Sequence, residues 1–166
     1  MGVLRCSYFL KDNETTVNIA NEILNDSKSS TELKAEARFN RAKAYLALGK
    51  NALALPDFQL LAADTRTANG AEAKFQLANL YFEQAKFSDA ENEVLDFAKM
   101  NTPYQYWLAR SFVLLADIYI QRGDNFQAKQ YLLSLQKNYT VNDDIQTMIS
   151  DRLNAISKIE NSKIIN

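Results

Sequence analysis

A pattern of small and aromatic residues recurs three times at one internal spacing. Ala is followed by Tyr three residues later, by Gly or Ala four residues after that, and by Ala five residues further on. The copies are Ala42, Tyr45, Gly49, Ala54; Ala78, Tyr81, Ala85, Ala90; and Ala116, Tyr119, Gly123, Ala128. A period of about 34 to 40 residues is typical of helical repeat arrays, whose units bury their apolar faces only against their neighbours. The pattern therefore predicts an all-α solenoid.

Each copy marks a pair of helices joined by a tight turn. Apolar residues recur at helical spacing over 33–48, 71–82 and 107–120, and second helices are expected over about 51–64, 88–100 and 124–138. Gly49 and Gly123 stand where the first helix must end, and glycine takes the left-handed conformation without penalty. Ala85 stands at the same place in the middle unit, and we expect it to turn less easily.

Helix starts are predicted from capping residues. Five signals combine an oxygen-bearing residue with Glu or Gln three positions later, or with Pro at the next position. They are Ser29 with Glu32, Asn69 with Glu72, Ser88 with Glu91, Asp124 with Gln127, and Thr102 with Pro103. Pro56 lacks a backbone N–H near the first turn of its helix, which predicts a late start or a bend there.

These residues together resemble the tetratricopeptide repeat (TPR) family. The match extends to an aromatic or apolar residue four positions after the last Ala, here Phe58, Val94 and Leu132. The resemblance implies a right-handed α-α superhelix of stacked antiparallel hairpins, about nine helices in one domain over 1–166. Its parts would be a partial repeat over 1–28, repeats over 31–66, 67–102 and 103–140, and a capping helix over 142–160. The periods of 36 and 38 residues and the rarity of Pro depart from the family pattern.

The same register extends backward to the start of the chain. A shift of 36 residues aligns Cys6 with Ala42 and Phe9 with Tyr45, so the sequence opens partway along a first helix. We interpret the chain as the C-terminal part of a longer, bacterial multi-repeat protein. Its N-terminal edge would then expose Val3, Leu4, Phe9 and Leu10, and the chain could self-associate through that edge.

Composition argues against several classes of function. With 19 basic and 20 acidic side chains, the net charge of -1 gives no general attraction to nucleic acid or to anionic membranes. The chain has no histidine and one cysteine, so His-based catalysis is unavailable and no His/Cys metal spacing occurs. No run of 18 apolar residues and no signal peptide is present. We expect no cofactor and no enzyme activity.

In the TPR family, the first helices line a groove that holds an extended peptide or a partner helix. Carried over by position, that groove consists of Phe39, Lys43, Leu46, Phe75, Asn79, Phe82, Val113, Asp117 and Ile120, with Glu36, Glu72 and Arg110 at its rim. Some family members clamp a C-terminal carboxylate there with Lys and Asn. The Lys positions are Phe39, Phe75 and Val113 in this chain, and only Asn79 matches, so apolar anchors at Phe39 and Phe75 are expected instead. Trp107 is expected to pack near Phe97, with a binding hot spot as the alternative.

The leading hypothesis is a non-catalytic scaffold that binds a protein or peptide in this groove. A second hypothesis is a structural spacer or oligomerisation segment of a larger repeat protein, with no ligand of its own. A third, an all-helical enzyme, would need convergent carboxylates in a closed cavity. The cellular compartment stays open between the cytoplasm and the periplasm or cell envelope, where bacterial arrays of similar unit length and Asn/Lys-rich composition occur.

Overall fold

A computed structural model describes Leu4 and residues 12–164, with side chains up to residue 161. Residues 12–164 form eight α-helices and no strand. The helices are α1 (Asn13–Asn25), α2 (Thr31–Ala47), α3 (Asn51–Leu61), α4 (Ala68–Glu83), α5 (Phe87–Lys99), α6 (Gln105–Gln121), α7 (Asn125–Asn138) and α8 (Asp144–Ile164). The predicted all-α fold is confirmed. The ninth expected helix falls on residues 1–11, which lie outside the described residues except for Leu4.

The helices stack in chain order. Within residues 12–164, each helix packs against the next one along the chain, and each of α2, α4 and α6 also packs against the helix two places further on. Among these eight described helices, no contacts join helices that are further apart. Every unit is therefore stabilised only by its neighbours, which is the arrangement of a solenoid.

The turns that end the three first helices share one geometry. Gly49, Ala85 and Gly123 have φ of 69°, 56° and 80°, all in the left-handed region. In each turn the residue that follows donates its N–H to the carbonyl of the repeat Tyr, at 2.8 Å for Tyr45 and 2.9 Å for Tyr81 and Tyr119. This bond spans five residues and is the Schellman closure of a helix. Ala85 thus adopts the glycine conformation at a steric cost.

One of the predicted helix starts is confirmed and the others are displaced. Asp124 caps α7 by accepting from the Gln127 N–H at 3.0 Å. Helix α2 is capped by Ser30 and not by Ser29. Helix α4 is capped by Thr67 and not by Asn69.

The starts of the remaining helices also differ from the expected positions. Helix α5 begins at Phe87, so Ser88 lies inside it, and α6 begins at Gln105, after Thr102 and Pro103. Helix α3 begins at Asn51 and includes Pro56. Of the two expected alternatives, the late start is therefore wrong, and the bend stays a prediction.

The repeat alanines lie where the two helices of each hairpin meet. Ala42, Ala78 and Ala116 and their partners Ala54, Ala90 and Ala128 are all buried. A second pair of positions, 19 residues apart, also joins the two helices in every unit. It is an ion pair in Arg38–Asp57 and Lys74–Glu93 but an aromatic contact in Phe112–Tyr131, with ring centroids 6.4 Å apart. The same pair of positions therefore carries charged side chains in two units and aromatic side chains in the third.

Buried polar contacts join the first three helices. Asp57 on α3 is 1% exposed. It accepts from Arg41 at 2.7 and 2.8 Å and from Arg38 at 3.2 Å. Arg41 also donates to the Asn21 side chain of α1 at 2.6 Å. The bonds to Asp57 raise the pKa of Arg41 above its ordinary value, so the guanidinium remains charged.

The loops between successive units bond to one another. The hydroxyl of Thr65 donates to the Met100 carbonyl at 3.2 Å, and that of Thr102 donates to the Thr65 carbonyl at 2.7 Å. Both threonines are buried. Gly70 lies close to the first of these loops, because a Cβ added there would be 2.0 Å from the Asp64 carbonyl oxygen. This pair of loops sets the spacing between the middle units.

Leu4 does not expose an apolar edge. It is fully buried with Ala20 and Ala37, so the expected exposure is wrong for this residue. The other members of the predicted edge, Val3, Phe9 and Leu10, lie outside the described residues, as does Cys6.

Candidate functional site

The candidate site is the surface of the first helices α2, α4 and α6, called here the first-helix surface. Its half-buried side chains include Lys43, Glu72, Asn79, Phe82 and Arg110.

The two phenylalanines expected as apolar anchors are buried. Phe39 is 9% exposed and packs with Ala73 and Leu77 of α4. Phe75 is 7% exposed and shares a cluster with α6 residues such as Leu114. The expectation that Phe39 and Phe75 present anchors to a partner is therefore wrong, because successive first helices pack on these rings. Leu46 is half-buried beside the Phe39 cluster.

An ion pair joins α2 to α4. Lys43 Nζ lies 2.5 Å from Glu72 Oε1 and 5.9 Å from the centroid of the Phe39 ring. Both side chains are largely shielded from solvent, with 27% and 16% exposure. Lys43 already has its counter-charge within the chain, so this part of the surface is electrostatically neutral.

Further along α4, polar and aromatic contacts satisfy the predicted residues locally. The Asn79 amide donates to Glu83 at 2.8 Å, one helical turn away. Phe82 contacts Phe87 of α5 with ring centroids 5.6 Å apart. Neither side chain is fully buried. Both remain available at the surface as secondary contacts.

Arg110 on α6 lies within an aromatic cluster. Its guanidinium carbon is 5.1 Å from the Phe75 ring centroid and 5.9 Å from those of Tyr106 and Trp107. Its Nη1 donates to the Tyr106 hydroxyl at 2.9 Å, and that hydroxyl donates to Asp144 at 3.2 Å. Within the part of the chain that is described, Arg110 forms no direct ion pair.

The stacking leaves most of the Arg110 donors unused. A guanidinium has five N–H groups in a planar fork that matches a carboxylate. One of them bonds to Tyr106, and no other Arg110 N–H has a hydrogen-bond partner among the described residues. Arg110 is thus a half-buried, pre-oriented cation able to receive an anionic group.

Trp107 belongs to the same aromatic cluster as Arg110. Trp107 stacks on Phe75 at 5.6 Å and meets Tyr106 edge-on at 5.0 Å. Trp107 also packs against the cluster that contains Ala90 and Val94 of the preceding helix. Its expected position near Phe97 stays a prediction. Tyr106 and Trp107 precede Arg110 by four and three residues, a helical spacing that could have indicated the cluster.

Helix α8 covers the third unit of the predicted groove. Val113 is buried in a cluster with Ile145, Ile149 and Ile156 of α8, and Ile120 packs against the same cluster. Asp117 is held by two bonds of 2.7 Å from the Arg152 guanidinium. Val113 and Asp117 are therefore held by α8, and Ile120 packs against the cluster to which α8 contributes.

Burial and hydrogen bonds within the fold shift the pKa values of Glu91, Tyr119 and Tyr139. Burial raises the pKa of Glu91, but bonds from Tyr119 and Arg122 outweigh it and hold the pKa below its ordinary value. The bond to Glu91 in turn raises the pKa of Tyr119. Burial, together with a bond to Asp143, raises the pKa of Tyr139.

The described residues contain neither a metal-binding cluster nor a membrane-spanning helix. Among them, no three His, Cys, Asp or Glu side chains are grouped closely enough to hold a metal ion. None of the helices described combines the length and the apolar character needed to cross a membrane.

The stacked hairpins define a helical repeat solenoid, and comparison with solved structures gives the kind of repeat. The chain is similar to two crystal structures of nearly identical TPR-like repeats from a kinesin light chain-like protein of Podosopora anserina. The first, a variant, has a TM-score of 0.70 at 14% identity and covers 97% of this chain and 84% of that one. The second has a TM-score of 0.68 at 14% identity, with 97% and 85% covered. The fold is TPR-like.

Comparisons of sequence give no further relatives. No model of a protein family matches the chain, and no curated protein matches it. The likeness at 14% identity concerns the fold. The residues of the first-helix surface must therefore be interpreted from their own geometry.

Proposed function

We propose that this chain is a non-catalytic protein-interaction scaffold, and that its first-helix surface holds an extended peptide or a partner helix. An acidic side chain of the partner would bind Arg110. The TPR-like fold supports the general class, since such folds typically mediate protein interactions. The state of Arg110 supports the particular surface.

One observation carries the proposal. Lys43 and Arg152 are neutralised by Glu72 and Asp117, whereas Arg110 has rings and a hydroxyl around it and no direct carboxylate partner in the described residues. A carboxylate placed against the remaining N–H groups of Arg110 would form charge-assisted, bidentate hydrogen bonds. Each hydrogen bond to a charged group contributes about 1.5 to 3 kcal/mol, which corresponds to roughly 10- to 100-fold in affinity.

The test is a selection of random peptides displayed on phage against the immobilised full chain. We expect the selected peptides to share an Asp or Glu at one position. Synthetic versions should bind the Arg110→Gln variant at least about tenfold more weakly. Arg66→Gln is the matched control, because Arg66 is a highly exposed cation outside the first-helix surface. Selected peptides that lack a shared acid, or that bind wild type and Arg110→Gln equally, would contradict the proposal.

The spacer hypothesis remains the second candidate. It is favoured by the burial of Phe39 and Phe75 between neighbouring first helices and by the cover that α8 gives to Val113. A spacer with no ligand of its own would yield no enriched peptide from wild type, under conditions in which a control scaffold does. The same selection therefore distinguishes the two functions.

A further inference from the structure

A second surface of the molecule lies on the outer face of helix α3 and is distinct from the first-helix surface. The outer face is formed by Ala52, Leu53, Pro56, Gln59 and Leu60, all exposed. Leu53 and Leu60 are 53% and 60% exposed, although they are large apolar side chains. Because they are seven residues apart, they lie on the same side of the helix.

Helix α3 is apolar on both sides. Its inner side buries Ala54 and Phe58, and its single ionisable residue, Asp57, is buried beneath the arginines. A helix that is hydrophobic all round is normally covered on all sides. The outer face of α3 therefore has the composition of a contact surface.

The equivalent helix of the next unit shows that this composition is not a requirement of the fold. Helix α5 exposes Asp89, Asp96 and Lys99 on its surface. Helix α7 exposes Phe126 and Leu133 but also Lys137. Among these three second helices, only α3 exposes no charged residue.

We infer that the outer face of α3 binds the same face of a second copy of this chain, with the two helices antiparallel about a two-fold axis. In such a contact a surface patch meets its own copy, so a charge close to the two-fold axis would face the same charge of the other copy. An uncharged patch avoids this repulsion. With the axis passing near Pro56, Leu53 of one copy lies opposite Leu60 of the other.

Charges at the two ends of α3 complement each other in this arrangement. Lys50 is the exposed residue before the helix, and it forms no ion pair in the described part of the chain. Asp64 follows the helix, and its carboxylate is 47% exposed although it is ion-paired with Arg66 at 2.8 Å, so it can still meet a second cation. The two-fold axis brings Lys50 of each copy to Asp64 of the other. A parallel arrangement would place like charges together at both ends.

The contact is small, which determines the concentration at which it should be sought. Eleven residues at 1.5 Å per residue make a helix about 16 Å long, so the interface falls in the size class of weak, transient complexes. We expect a dissociation constant of roughly 0.1 to 1 mM. This surface is separate from the first-helix surface, and the two can be tested independently.

The experiment is sedimentation equilibrium of the full chain at low salt, from about 0.01 to 2 mM, with circular dichroism to confirm folding. Wild type should show a monomer–dimer equilibrium. Leu60→Glu should weaken it at least about tenfold, because it places a charge against an apolar side chain. Leu133→Glu is the matched control on α7 and should leave it unchanged. Lys50→Glu should weaken the dimer, and adding Asp64→Lys should restore it.

Several results would overturn the inference. They are a wild type that stays monomeric at the highest concentration, a dimer that Leu60→Glu does not affect, or a dimer that Leu133→Glu weakens equally. Loss of the dimer in Lys50→Glu without rescue by the double variant would refute the antiparallel arrangement.

Discussion

The turn at Ala85 allows the cost of one methyl group to be measured against two natural glycines. Ala85 has φ of 56° and makes the same two turn bonds as Gly49 and Gly123. The left-handed conformation costs an L-residue about 1 to 2 kcal/mol, and glycine is free of that penalty. Glycine also gains about 0.4 to 1 kcal/mol of unfolded-state entropy, which opposes the benefit.

We therefore expect Ala85→Gly to stabilise the chain by about 0.5 to 1 kcal/mol, the difference between these terms. For a chain of this size the melting temperature should rise by roughly 1 to 4 °C. The measurement is urea unfolding followed by circular dichroism and by fluorescence of Trp107. Coincident transitions would justify a single free energy of unfolding.

Gly49→Ala and Gly123→Ala are the reciprocal controls. A Cβ at either position would meet nothing within 4 Å, so only the backbone conformation is tested. Each should destabilise the chain by about the amount that Ala85→Gly gains. If Ala85→Gly were destabilising while both glycine variants were neutral, the reasoning from backbone strain would be refuted.

Three further changes test the packing of the units. Gly70→Ala should destabilise the chain by about 3 kcal/mol in urea unfolding, because its Cβ would collide with backbone of the preceding loop; a cost below that of Gly49→Ala would contradict this. Thr102→Val should cost about 1 to 3 kcal/mol by leaving Thr65 without its buried donor, and a neutral result would count against the loop contact. For Glu91, whose pKa is lowered from 4.5 in the fold, stability from the ionised group is present above that value and is lost as pH falls. The free-energy difference between wild type and Glu91→Gln should therefore shrink from about pH 6 to pH 3, and a constant difference would refute the assignment.

The stacking of hairpins was predictable because it depends on local spacing. The Ala, Tyr, Gly and Ala register identified three turns, and the structure shows them with one hydrogen-bond pattern. Ala85 follows this pattern without being glycine. The caps were less predictable, because Ser29 and Ser30 are both suitable and only the helix geometry chooses between them.

The state of the first-helix surface could not be predicted from position alone. The register places Phe39 and Phe75 on the expected side of their helices. Their exposure, however, depends on how closely the next first helix approaches. Arg110 was placed at the rim, but its contact with Phe75 joins residues of two different units.

The position of α8 limits how far a bound peptide can extend beyond α6 along the proposed first-helix surface. Helix α8 covers Val113 and holds Asp117 through Arg152, so α2, α4 and the start of α6 remain accessible among the first helices in the described residues. Neighbouring helices lie about 8 to 10 Å apart, which makes this interval roughly 20 Å. An extended strand advances about 3.3 Å per residue, so the interval accommodates about six residues. A peptide bound here would be recognised as a short linear motif, and its acidic residue would lie near the end that approaches α8.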